Sequence, residues 1–148
     1  MKNIIKFLPF CIALMFLSCE EKSSEIIFHK SHESSRLSAP FSDAVETDNL
    51  LFLTGQIGKD HKAGKLVEGG IQAETKQTIE NIKGVLEQHG LNLDHVVKCT
   101  VILSDIDDFS AFNNVYTTYF TKRPARTTFA AAGLAANAKI EIEVIAAK

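Results

Sequence analysis

The sequence has no tryptophan, and only three prolines and three cysteines in 148 residues. Neither sign of charge is in large surplus: 16 Lys and Arg stand against 18 Asp and Glu, a slightly acidic formal net charge of −2. Binding phosphate backbones through bulk charge needs many clustered cations, so this balance argues against a nucleic-acid binder of that kind. There is no GxGxxG, P-loop, HExxH, CxxC or GxSxG pattern, which leaves no sequence mark of dinucleotide, nucleotide, zinc-protease, thiol-redox or serine-hydrolase chemistry. Internal repeats and low-complexity segments are also missing. No apolar run approaches the roughly 20 residues of a spanning helix. What remains is 45% hydrophobic and 23% charged, ordinary material for one folded domain.

The longest apolar run, Phe7 to Leu17, follows Lys2 and Lys6 and precedes Ser18-Cys19. A short basic start, a short apolar run and a small residue before Cys make a secretory signal of the bacterial lipoprotein type. Residues 1–18 are then the signal, Cys19 is the lipidated N-terminus, and 19–25 form a polar tether to a domain at 26–148. Phe16 departs from the usual Leu, Val or Ile of such signals. An uncleaved signal anchor, or a start placed too early on a cytosolic protein, is the alternative. With Cys11 removed and Cys19 acylated, Cys99 stands alone and no internal disulfide forms.

Along the domain, Ile26 to Phe28, Ala44 to Thr47 and Leu50 to Ile57 read as strands. Asp48-Asn49 suits a tight hairpin between the second and third. Leu50 to Leu53 is apolar on both faces, which predicts a central strand ended by Gly55, where another group can approach the backbone. Gly58 to Gly70 reads as a polar turn region. Ile71 to His89 carries one apolar stripe at 3,4 spacing and stops at Gly90. Val96 to Leu103 is a strand, and Asp105, Asp107 and Asp108 open a second helix with the stripe Phe109, Phe112, Tyr116, Tyr119 and Phe120, ending near Lys122. Arg126 to Ala132 and Lys139 to Ala147 are read as strands of a C-terminal hairpin. The order predicts an α+β fold with two helices on one face of the sheet.

Few residues point to chemistry. His29, His32, His61, His89 and His95 read as surface or satisfied histidines, with no metal site expected. Cys99, in an apolar strand, reads as a buried, inert thiol. Asn113 and Asn114 sit inside a helix, where Asn is mildly unfavourable. In the C-terminal hairpin, Arg126 shares a face with Thr128, and Lys139, Glu141 and Glu143 share another. A half-exposed charged strand accounts for this pattern. So does a site in which an Arg grips a carboxylate and a Glu moves a proton; spacing alone leaves both open.

The blocks Ala39-Pro40-Phe41-Ser42-Asp43-Ala44-Val45, Leu53-Thr54-Gly55-Gln56-Ile57, Val97-Lys98-Cys99-Thr100-Val101, Asn113-Asn114-Val115-Tyr116, Pro124-Ala125-Arg126-Thr127 and Ile140-Glu141-Ile142-Glu143 together resemble the RidA/YjgF family of reactive-intermediate deaminases. The resemblance spans residues 26 to 147. It implies a chorismate-mutase-like fold with a mixed sheet, assembled as a homotrimer with sites in the clefts between subunits. It further implies cofactor-free hydrolysis of 2-imino acids, or their enamine tautomers, to 2-oxo acids and ammonia. By the same resemblance Arg126 clamps the substrate carboxylate and Glu141 holds the attacking water. Phe41, Gly55, Asn113 and Thr128 bind substrate, Gly55 and Thr128 through their backbone. Phe41 stands where a Tyr is common, Ala39 where Gly is, and Asp43 where Gln is frequent, changes that bear on substrate preference. Besides the deaminase, two functions remain open: a non-catalytic carboxylate-binding or partner-binding module, and an endoribonuclease or translation inhibitor, against which the acidic balance argues.

Overall fold

The computed structural model describes residues 25–148; the proposed signal, Cys19 and nearly all of the tether lie outside the described residues. Three strands open the domain: β1 (Ile27–His29), β2 (Ala44–Thr47) and β3 (Leu50–Ile57). Asp48-Asn49 closes the two-residue loop between β2 and β3, with Thr47 opposite Leu50. The region from Gly58 to Gly70 is more than a turn: it contains a two-stranded ribbon, β4 (Lys59–Asp60) and β5 (Lys65–Leu66). Its strands are two residues long, too short for periodicity to register. Helix α1 (Gly70–Gln88) follows and buries Ile71, Thr75, Thr78, Ile79, Ile82, Val85 and Leu86. Gly90 ends it at φ 71°, a left-handed conformation that costs glycine little. Then come β6 (Val96–Leu103), α2 (Phe109–Tyr119), β7 (Ala125–Ala130) and β8 (Ile140–Ala147). Asp105 caps the turn before α2 by accepting from the Asp107 amide.

The main sheet runs β1-β2-β3-β8-β6-β7. All neighbours are antiparallel except β6 and β7, which are parallel and joined through α2. This corrects the expectation of a C-terminal hairpin. β8 does not pair with β7; it inserts between β3 and β6, and β7 forms the edge. A strand such as β8, with Ile140, Ile142, Val144 and Ala146 all buried, gains more in the middle of the sheet than at its rim. β3 is central, as expected, but Gly55 does not end it. Leu53 faces Val144 and Gln56 faces Ile142, so one extra residue bulges from β3 at Thr54-Gly55.

Both helices cover one face, where Leu51, Leu53, Ile79, Ile82, Leu86, Cys99, Val101, Phe112, Tyr116, Ile142 and Val144 form a single core. Cys99 is fully buried, and burial pushes its thiol up to about 11, as expected of an unreactive side chain. Among the described residues, no element covers the other face. Across it runs an apolar row in register: Phe28 beside Val45, Val45 beside Phe52, Phe52 beside Ile145. Phe28 is 68% exposed and Phe52 39%.

Candidate functional site

Arg126 pairs in register with Cys99, whose side chain lies in the core under the helices. In-register neighbours of a parallel pair share a face, so Arg126 points to the helix side, at the edge of the sheet. There it meets α2. Its Nη1 donates to Asn113 Oδ1 at 2.8 Å. Its guanidinium carbon lies 4.6, 5.1 and 5.7 Å from the ring centres of Tyr116, Phe112 and Phe109, within range of cation–π attraction. Burial, then the neighbouring Cys99, drives the Tyr116 phenol far above its ordinary value, so it stays neutral. Among the described residues no carboxylate pairs with Arg126. The cation is thus held by rings and one amide, with most of its donors uncommitted. Beside it opens a cleft of about 650 Å³ lined by Asn113, Tyr116, Thr117, Thr121, Arg123 and Arg126 among others. Arg123 reaches this rim in a left-handed conformation, φ 55°. Thr128, two residues on, shares the face of Arg126, and its hydroxyl is buried without a partner among the described residues.

Glu141 sits elsewhere. It pairs with Ile57 on one side and Ile102 on the other, out of phase with the buried Ile140 and Ile142, so it belongs to the uncovered face. Its carboxylate lies against Gly55: a Cβ built there would fall 2.0 Å from Glu141 Oε1. The close approach anticipated at Gly55 is therefore made by Glu141 of the same chain. Burial, and secondarily Glu143, raises the Glu141 carboxyl above its ordinary value. A second cavity, of about 420 Å³, is lined by Glu141, Thr54, Gly55, Phe41, Arg36 and His61 among others. Arg36 is fixed there by Asp43, an ion pair of 2.9 Å, and by a hydrogen bond to Gln56. Its guanidinium carbon is 5.5 Å from the Phe41 ring centre. Desolvation lowers the pKa of His61.

The residues singled out from sequence thus fall into two groups. Arg126, Asn113 and Thr128 share the helix side at one edge; Glu141, Gly55 and Phe41 line the other cavity. Within one chain these groups do not meet, because β6 separates β7 from β8 and the two key side chains project from opposite faces. The idea of a carboxylate and guanidinium on neighbouring strands is corrected accordingly. Sequence reasoning missed Arg36 and read His61 as a surface or satisfied histidine; both lie in segments with no periodic signal. It read Phe109, Phe112 and Tyr116 as core alone, and a π surface for a cation carries the same helical spacing as a core stripe. It read the histidines as surface or satisfied groups; His29 and His89 come together with Glu46 at the opposite edge of the sheet.

The family model described as endoribonuclease L-PSP matches residues 33–148. A RutC family protein of Pyrococcus horikoshii is 42% identical over 125 residues, covering 84% of this chain and 98% of that protein. The 2-iminobutanoate/2-iminopropanoate deaminase of Homo sapiens is 42% identical over 108 residues, covering 72% of this chain and 79% of that enzyme. The crystal structure of the YjgF gene product of E. coli superposes with a TM-score of 0.76 at 30% identity, covering 82% of this chain and 98% of that one.

Proposed function

The chain belongs to the RidA/YjgF family, and from that premise we propose that it hydrolyses small 2-imino acids to 2-oxo acids and ammonia in a site completed by two copies of itself. The observation that carries the reading is the pairing of an Arg126 fork held without a carboxylate partner with a Glu141 carboxyl raised by burial on the other face. A 2-imino acid presents both complements: a carboxylate for the fork and an electrophilic C=N carbon for water. Arg126 takes the carboxylate in two parallel hydrogen bonds. Glu141 accepts one proton from water as its oxygen adds to the carbon; the C–O bond forms, the C=N π pair moves to nitrogen, and Glu141 returns the proton there to give a carbinolamine. Glu141 then carries the hydroxyl proton of that intermediate to nitrogen, C=O forms as the C–N bond breaks, and ammonia leaves the 2-oxo acid. A carboxyl raised towards neutrality is suited to both halves of that transfer. None of these steps calls for a cofactor.

Assembly is part of the proposal. Arg126 and Glu141 serve one substrate only if they come from different subunits, and the exposed row of Phe28, Val45, Phe52 and Ile145 offers an apolar surface for association. We read the assembly as the homotrimer implied by the family. Light scattering should give three times the chain mass; a monomer at micromolar concentration would contradict it. The chemistry is tested by generating 2-iminopropanoate with an amino-acid oxidase and trapping residual imine with semicarbazide. Wild type should compete with the trap, and a rate equal to buffer would remove the reading.

Phe41 favours one second reading. It is 52% exposed at the Glu141 cavity and brings no hydroxyl, which suits a module that binds small carboxylates without turnover. The same assay separates the two. The N-terminal segment supports export and anchoring through Cys19, by Lys2, Lys6, the apolar run and Ser18-Cys19. A fatty-acid label should enter wild type and not Cys19→Ala; label retained by the variant would overturn the anchor.

A further inference from the structure

We propose that His29, His89 and Glu46 form a binding site for a divalent transition-metal ion of the zinc class, at the edge of the sheet remote from Arg126. The three come from separate elements. His29 ends β1 and Glu46 lies in β2, both projecting to the helix side, since His29 pairs with the buried Ala44 and Glu46 with the buried Leu51. His89 follows the last residue of α1. One donor atom from each lies within 4.8 Å of the others, and His29 Nε2 stands 2.9 Å from Glu46 Oε2. The two imidazoles meet edge-on, with centres 4.5 Å apart. Donors around zinc at about 2.0–2.2 Å sit roughly 3 Å or slightly more from one another, so small side-chain rotations close the set.

The donor chemistry selects the ion class. Two imidazoles and one carboxylate suit zinc, nickel, copper or ferrous iron, whereas calcium and magnesium prefer oxygen alone. The remaining geometry agrees. Lys148 Nζ holds Glu46 Oε1 at 2.8 Å, which fixes the carboxylate and leaves Oε2 turned to the histidines. The carbonyl end of α1 adds negative potential at His89. Beside the cluster is a cavity of about 160 Å³ lined by His29, His32, Asp43, Gln88 and His89 among others, room for water in the open coordination positions. Without a metal the cluster is a His29–Glu46 ion pair with His89 packed edge-on against His29.

The test uses the full chain, stripped with a chelator and titrated with zinc against a chromogenic chelator. Wild type should take up one zinc per chain. His89→Ala and Glu46→Gln should each bind at least about tenfold more weakly, the least that losing a ligand costs by comparison with losing its supporting partners. Zinc should raise the melting temperature of wild type and not of His89→Ala. Circular dichroism checks each fold, and His29→Asn stands in for any variant that fails it. Cobalt at the same site should give visible bands that vanish in the variants. Zinc uptake that is unchanged in all three variants, or no uptake by wild type at stoichiometric zinc, overturns the proposal. Imine turnover is assayed separately, and its failure leaves this outcome untouched.

Discussion

The Arg126 cleft and the Glu141 cavity solve opposite problems. At Arg126 a charge must be held without being cancelled. Three aromatic faces and an amide oxygen do this, because they attract the guanidinium yet leave donors for an anion from outside. At Glu141 a charge must be made easy to neutralise. Burial, with Glu143 nearby, raises the carboxyl, and a glycine gives it space against the backbone. In the proposed reaction one region binds and the other moves a proton, and neither is complete alone.

Breaking the proton-moving side should cost most. Glu141→Gln keeps shape and binding but removes the base, so imine turnover should fall by about 10²–10⁴-fold while ligand binding persists. The sign for stability is opposite. A carboxyl whose pKa is higher in the folded state makes folding weaken as pH rises from the unfolded value through the folded one. Glu141→Gln should therefore melt no lower than wild type at pH 7. Activity that needs the carboxylate should fail on acidification at a higher pH than an ordinary Glu would give. A pH–rate profile and a melting series check both.

Gly55→Ala comes next. Its Cβ meets only the end of the Glu141 side chain at the shortest distance, so the chain folds and the carboxylate swings aside. Displacement of a reacting group by about 1 Å costs on the order of 10²-fold in rate, with the melting temperature nearly unchanged. On the binding side, Arg126→Ala loses a charge-assisted contact of about 1.5–3 kcal/mol, roughly ten- to a hundredfold in kcat/KM. Arg126→Lys restores charge without the planar fork and should recover little. The smallest effect is expected at Thr128. Its buried hydroxyl has no partner among the described residues, so Thr128→Val should be neutral or slightly stabilising, and turnover should hold if only its backbone meets the ligand.

The same contrast explains what the sequence made legible. Strands β2, β3 and β6 and helix α1 were readable to within a residue or so, because each buries one periodic face. The loop Asp48-Asn49 was readable from its turn chemistry. The position of β8 was not: Ile140 to Val144 alternates alike at an edge or in the centre, and only competition among strands for β3 and β6 decides it. That single placement separates Arg126 from Glu141 within one chain, where the hairpin pattern alone would have set them side by side. Asn113 was noticed as a misfit in a helix, and its partner proved to be Arg126. Arg36 carried no such signal, since its role depends on Asp43 and Gln56 from distant elements.

The most direct measurement mixes two defective proteins. Arg126→Ala and Glu141→Gln subunits are unfolded together, refolded at equal ratio and assayed for imine hydrolysis. In a closed ring of three, a mixed assembly regenerates one site that joins the intact Arg126 of one subunit to the intact Glu141 of its neighbour. Random mixing should restore about a quarter of the wild-type rate, while each variant refolded alone keeps at most about a tenth of it. A mixture no more active than the average of the two variants would contradict a site shared between subunits.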